Sequence, residues 1–104
     1  MLKMIILAVA CLLLTASCIG KNNQILTPEQ LCIEKCLSLH GTNLSKGPCL
    51  LNPMLQFPEW VCDVAHNPRV AVDNQQKNQC SSFREGKAKH FIEVDETCVL
   101  IKKA

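Results

Sequence analysis

A carboxylate, an imidazole and a guanidinium lie close together in the middle of the chain. Asp63 and His66 are about one helical turn apart, and Arg69 follows at the same interval. A carboxylate and an imidazole at that spacing can bind a metal ion or act as an acid and a base. They can equally cap a helix and pair with Arg69, and a motif needs its structural context before a reaction is assigned. We interpret Asp63 and His66 as structural, with a metal-dependent hydrolase as the alternative.

A metal site at Asp63 and His66 would need a third ligand, for which His90 and Glu93 are the candidates. The segment 89–94 is rich in β-branched and apolar residues and predicts a strand. Side chains alternate between the two faces of a strand, so His90 and Glu93 point to opposite faces. The sequence therefore predicts no cofactor, and the hydrolase alternative depends on Asp63, His66 and His90.

Basic side chains are concentrated near the C-terminal end, at Arg84, Lys87, Lys89, Lys102 and Lys103. Such an edge can bind a membrane surface, a polyanion or an acidic partner. Acidic residues are interleaved with these cations, namely Glu85, Glu93, Asp95 and Glu96, and the chain has a formal net charge of only +2. We therefore predict a solvated surface of mixed charge and no nucleic-acid partner.

The first seventeen residues have the pattern of an export signal: a positive start, an apolar run from Met4 to Leu14 and a small-residue exit. The run is too short for the ~20 apolar residues of a membrane-spanning helix. Leu14-Thr15-Ala16-Ser17-Cys18 resembles a bacterial-type lipobox, with Thr15 where Leu is preferred. We predict a diacylated Cys18 that anchors the protein to a membrane. Ordinary cleavage after Ser17 or Gly20, which would release the protein, is the alternative.

Six cysteines remain after the signal and the lipidation site are set aside, namely Cys32, Cys36, Cys49, Cys62, Cys80 and Cys98. An even set in a short exported chain predicts three disulfides, and the sequence leaves all fifteen pairings open. The chain contains only three Phe, one Trp and no Tyr, so its apolar core must be modest. We therefore expect its stability to depend on the disulfides.

The best helix signal follows a polar tether. Thr27 is a good N-cap, Pro28 suits the first helical position and Gln30 completes a capping box, with Gly41 available to end the helix. Cysteines 32 and 36 are four residues apart on this helix, so each should join it to a different segment. Their spacing is also not that of a redox Cys-x-x-Cys site.

The rest of the chain predicts a small α+β, disulfide-rich fold with an N-terminal helix, a short second helix and a C-terminal β-hairpin. The second helix is predicted at Pro58 to His66, and one more short helix is predicted to be capped by Ser82 and Glu85. Residues 42–57 read as a loop. The hairpin is predicted from strands 89–94 and 97–101, with Cys98 joining it to the helical part. The predicted organisation is a signal peptide at 1–17, a tether at 18–26 and one domain at 27–104.

Five stretches between Cys32 and Ile101 carry a further pattern: 44–50, 60–69, 72–74, 78–80 and 90–95. Together they resemble small exported cysteine-rich proteins of prokaryotes, archaeal ones in particular, that have no assigned activity. The resemblance implies an anchored, disulfide-bonded module and assigns no catalytic residue.

We predict an exported, lipid-anchored binding or envelope-associated module without catalytic activity, located at the cell surface. Its partner would be another protein or an envelope component. Besides the hydrolase, a released toxin-like or inhibitor-like effector is an alternative, since a disulfide-stabilised scaffold suits that role. No reactive loop is evident in the sequence.

Overall fold

The computed structural model describes residues 25–104, which form a four-stranded sheet with two helices and three disulfides. The strands are β1 (Cys49–Leu51), β2 (Trp60–Val64), β3 (His90–Val94) and β4 (Leu100–Lys103), in the spatial order β1-β2-β3-β4. The central pair β2 and β3 is parallel, and both outer pairs are antiparallel. The predicted signal peptide, the lipidation site Cys18 and most of the tether lie outside the described residues.

Helix α1 (Pro28–Ser38) has the predicted capping box: the Gln30 backbone N–H donates to the Thr27 hydroxyl, and the Thr27 N–H donates to the Gln30 side chain. The helix ends at Ser38, before Gly41. Its two buried cysteines bond to different segments, as predicted, in the disulfides Cys32–Cys62 and Cys36–Cys98. Within residues 25–104, no helix has the length and apolar character needed to cross a membrane.

The helix predicted at Pro58 to His66 is wrong, because residues 60–64 form strand β2. The proline at position 58 and the helical spacing of Asp63 and His66 suggested a helix, but tertiary pairing decides the conformation here. Strand β2 bonds to β1 on one side and to β3 on the other. Val61 and Cys62 face opposite sides of the sheet and are both buried, so buried residues do not alternate with exposed ones as they would in a half-buried strand.

The second helix of the structure is α2 (Ser81–Arg84), a single turn. The predicted cap by the Ser82 side chain is wrong, since the helix has no side-chain cap from its own residues. Instead, Asn52 accepts from the Ser82 backbone N–H at 2.8 Å and donates to the Ser81 hydroxyl at 2.8 Å. A distant loop therefore holds the start of α2.

Strand β1 lies inside the segment that the sequence assigned to a loop. It has only three residues, too few to show a period-two pattern, and it pairs irregularly with β2. The disulfide Cys49–Cys80 ties this edge strand to the residue that precedes α2.

The C-terminal hairpin is present, with β4 starting at Leu100 and not at Thr97. The Asp95 side chain accepts from the backbone N–H groups of Thr97 and Val99, which makes the connection a longer turn. Cys98 lies within this turn with a φ of 66° and bonds to Cys36 in α1. The predicted link between hairpin and helix is confirmed.

The main core lies between α1 and one face of the sheet, where Cys62, Val64, Ile92 and Val94 are buried. The alternate residues of β2 and β3 face the other way and are Val61, Asp63, Phe91 and Glu93. This second face is covered only in part, by α2 and the segment before it.

Candidate functional site

A cavity of about 340 Å³ lies on the sheet face opposite α1. We call it the Asp63 cavity, and its functional lining consists of Asp63, Arg69, Phe83, Arg84, Phe91 and Glu93. The parallel register places Val61 beside Phe91 and Asp63 beside Glu93. Two carboxyl side chains from distant parts of the chain therefore become neighbours on one face.

Arg69 is fixed above this carboxyl pair. Its Nη1 donates to Glu93 Oε2 at 2.9 Å, and its Nη2 donates to the backbone oxygen of Asp73 at 3.1 Å. The Asn74 side chain accepts two further bonds from the guanidinium. Glu93 thus has a cationic partner that is itself held in position.

Asp63 has no such partner for one of its oxygens. Among the described residues, its Oδ1 atom is buried without a hydrogen-bond partner. Burial, reinforced by the nearby charge of Glu93, raises the pKa of Asp63 from 3.8 to about 8, although Arg69 opposes the shift. At neutral pH, Asp63 is therefore a carboxylic acid that can donate a hydrogen bond.

The other wall of the Asp63 cavity is aromatic and basic. The rings of Phe83 and Phe91 meet edge to face, with centroids 5.1 Å apart. Arg84 follows Phe83 on α2, and its Nη1 donates to the backbone oxygen of Gln76 at 3.2 Å. The disulfide Cys49–Cys80 fixes the base of α2, so a covalent link holds this wall against the sheet.

His66 lies elsewhere and pairs with Asp73, a residue that the sequence analysis did not single out. The distance from His66 Nδ1 to Asp73 Oδ1 is 2.9 Å. The Asp73 carboxylate also accepts from the backbone N–H groups of His66 at 3.0 Å and Val70 at 2.9 Å. Burial acts to raise the pKa of Asp73, but these hydrogen bonds outweigh it and the pKa lies below its usual value.

Gly47 packs directly against the Asp73 carboxylate. Its φ is 65°, and a Cβ atom there would lie 2.6 Å from Asp73 Oδ1. A glycine is required both by this backbone conformation and by the close approach. Asp73 is therefore a buried polar support for the turn after β2. His66 also lines a second hollow, together with Glu96 and Thr97.

The three candidate ligands of the hydrolase alternative are not brought together. Asp63 faces its cavity, His66 faces Asp73, and His90 stacks on Trp60 with ring centroids 4.7 Å apart. Trp60 belongs to the α1 side of the sheet, so His90 and Asp63 lie on opposite faces. Within residues 25–104, no group of three His, Cys, Asp or Glu side chains is placed to hold a metal ion.

The basic edge of the hairpin is only partly balanced by acids. Lys87 pairs with Glu85 at 3.2 Å, whereas Glu93 pairs with Arg69 and forms no salt bridge with a lysine of residues 25–104. The ammonium groups of Lys102 and Lys103 each lie 5.7 Å from the centroid of an aromatic ring, over Phe91 and Trp60 respectively. Both lysines belong to the edge strand β4, and charged lysines on an edge strand discourage its pairing with other chains.

Sequence reasoning selected Asp63 but missed its neighbours in the cavity. Glu93 was a candidate only as a metal ligand or a counter-ion, and Phe83 and Phe91 were not candidate site residues. No local signal joins Asp63 to Phe91 and Glu93, because the parallel pairing of β2 and β3 creates this contact. Comparison with known proteins adds no relative: no family model, no curated protein and no solved structure matches the chain.

Proposed function

We propose that the protein is an exported, disulfide-stabilised binding module without catalytic activity, and that it binds a small ligand in the Asp63 cavity. One observation carries this proposal. Asp63 lines a cavity of about 340 Å³, and its Oδ1 atom is buried without a hydrogen-bond partner in residues 25–104. Buried polar atoms in proteins are nearly always hydrogen-bonded, and a ligand in the cavity would supply the absent partner once the carboxyl group turns toward it.

The three disulfides support the exported location. They are typical of small domains in oxidising compartments, and each closes a loop of 30 residues or more. The proposal includes a lipid at Cys18, which would hold the domain near a membrane surface through the tether at 18–26. A protein or envelope component nearby would then be the partner of the module.

Binding at the Asp63 cavity can be tested with three probes of one shape: benzoate, benzamide and benzamidine, which carry a negative, a zero and a positive charge. Each is titrated into ¹⁵N-labelled protein and followed by amide chemical shifts. We expect at least one probe to shift amides of β2, β3 and α2 next to the cavity, in the millimolar range that such small molecules reach. If all three leave these amides unchanged, or shift only residues of α1, the proposed function is wrong.

A pair of variants ties the binding to the cavity wall. Phe83→Ala removes a cavity-lining ring that is 41% exposed, and it should lower the affinity for the probe. Leu55→Ala removes a side chain that is 92% exposed and does not line the cavity, so it should leave the affinity unchanged. Equal effects of the two substitutions would contradict binding at this cavity.

The hydrolase is tested separately with zinc. Because Asp63, His66 and His90 point to three different places, added Zn²⁺ should hardly change the melting temperature. A ligand bound only by the native state stabilises it by about 2.7 kcal/mol at a hundredfold excess over its dissociation constant. A stabilisation of that size by Zn²⁺ that disappears in His66→Gln would support the hydrolase instead.

A further inference from the structure

The two arginines that line the Asp63 cavity differ in whether a carboxylate neutralises their charge. Arg69 is neutralised by Glu93, as its Nη1 lies 2.9 Å from a Glu93 carboxylate oxygen. Arg84 lines the same cavity but donates only to a backbone oxygen, and among residues 25–104 no carboxylate lies within salt-bridge distance of it. Of the described residues that line the cavity, Arg84 is therefore the cation without a counter-ion.

The carboxyl group of Asp63, like Arg84, favours a negatively charged ligand. Its Oδ1 has no hydrogen-bond partner in residues 25–104. The charged groups around the carboxyl are Glu93 from β3 and Arg69 and Asp73 from the segment after β2, and Arg84 from α2 lines the same cavity. Since burial raises the pKa of Asp63 to about 8, this oxygen can carry a proton at neutral pH. A protonated carboxyl needs an acceptor, which a ligand carboxylate provides and an amine does not.

The body of the ligand must suit the remaining wall. Phe83 and Phe91 form an edge-to-face pair at one side, and Val61 contributes a buried apolar floor. Flat rings pack well against such pairs. A volume of about 340 Å³ is at the small end of ligand-binding cavities.

We propose that the Asp63 cavity binds a small organic carboxylate with a flat apolar body, which pairs with Arg84, accepts a hydrogen bond from Asp63 and packs on Phe83 and Phe91. This inference rests on the proposed function and names its ligand class.

The three isosteric probes separate the inference from the proposed function. At pH 6, benzoate should bind about ten-fold more tightly than benzamide, because a charge-assisted bond is added, and benzamidine should bind most weakly. If benzamide or benzamidine shifts the cavity amides as strongly as benzoate does, the binding module stands and the carboxylate assignment is wrong. If none of the probes shifts them, the proposed function fails as well.

Two charge-matched variants test the role of Arg84. Arg84→Gln should lower the affinity for benzoate about three- to ten-fold and leave the affinity for benzamide unchanged. Lys87→Gln removes the same charge from a nearby position that does not line the cavity, and it should change neither affinity. An equal loss in both variants would mean that only the general surface charge attracts benzoate, and this result would overturn the assignment.

The pH profile tests the proton on Asp63. Because the pKa of Asp63 is about 8, raising the pH from 6 to 9 ionises this residue and should lower the affinity for benzoate about ten-fold. Asp63→Asn keeps a hydrogen-bond donor that does not titrate, so benzoate should bind this variant with little change across the same range. A wild-type affinity that is constant or rises with pH would contradict the proposed contact.

Discussion

Lowering the pH from 7 to 5 is expected to stabilise the folded protein, and the substitution Asp63→Asn is expected to remove most of this effect. The cause is the position of Asp63 on the second face of the sheet, where one carboxyl oxygen is buried without a hydrogen-bond partner among the residues that the structure describes. Burial and the nearby Glu93 raise its pKa from 3.8 to about 8. The folded state therefore favours the protonated acid, whereas the unfolded chain favours the ionised form at neutral pH.

The direction and size of the effect follow from proton linkage. Between pH 3.8 and pH 8 the folded state binds a proton that the unfolded state has released, so the free energy of unfolding rises as the pH falls. Two pH units within this window correspond to about 3 kcal/mol. Asp73 and Asp95 have lowered pKa values, so their stabilising contributions are lost only at more acidic pH. Neither aspartate therefore contributes to the expected change between pH 7 and pH 5.

Urea unfolding, followed by the fluorescence of the single Trp60, measures this free energy with the disulfides intact. Wild type, Asp63→Asn and the exposed-site control Glu34→Gln are compared at pH 5, 6, 7 and 8. We expect the wild type and Glu34→Gln to gain about 3 kcal/mol from pH 7 to pH 5, and Asp63→Asn to be more stable than the wild type at pH 7. A wild-type stability that is constant or falls over this interval, in parallel with Asp63→Asn, would refute the reasoning.

Three further predictions concern the covalent and backbone constraints. Excess reductant should abolish the cooperative thermal transition, because each disulfide contributes about 2–4 kcal/mol; an unchanged melting curve would show that the core suffices alone. Gly47→Ala should destabilise the protein clearly more than Gly86→Ala in urea unfolding, since both sites have positive φ but only the first places a Cβ 2.6 Å from Asp73 Oδ1. Mass spectrometry of the mature N-terminus should find a diacylated Cys18, with Cys18→Ser releasing or stalling the protein; an unlipidated chain starting at Lys21 would exclude the anchor.

Local patterns predicted the elements whose signals lie within a few consecutive residues. The capping box at Thr27 and Gln30 defines the start of α1, and the β-branched segment after Lys89 defines β3. The alternation of side chains along β3 also placed Phe91 and Glu93 together on one face. These features depend on residues close together along the chain, so they can be predicted without knowledge of the tertiary structure.

Strand β2 and the candidate site could not be predicted in this way. Residues 58–66 carry a proline start and a polar spacing that suit a helix, and only the pairing of residues 60–64 with β1 and β3 makes that segment a strand. The same pairing separates Asp63 from His66, whose carboxylate partner is Asp73. Helical spacing had placed Asp63 and His66 on one face.

By itself, the sequence determined that six cysteines would form disulfides, that each half-cystine of α1 would join a different segment, and that the chain would end in a hairpin. Only the tertiary structure decided which cysteines pair, and only it brought Asp63 beside Glu93 beneath Arg69. The physical reason is the range of the interactions. Caps, turns and strand alternation act over a few residues, whereas disulfides and the parallel β2–β3 ladder join segments 30 or more residues apart.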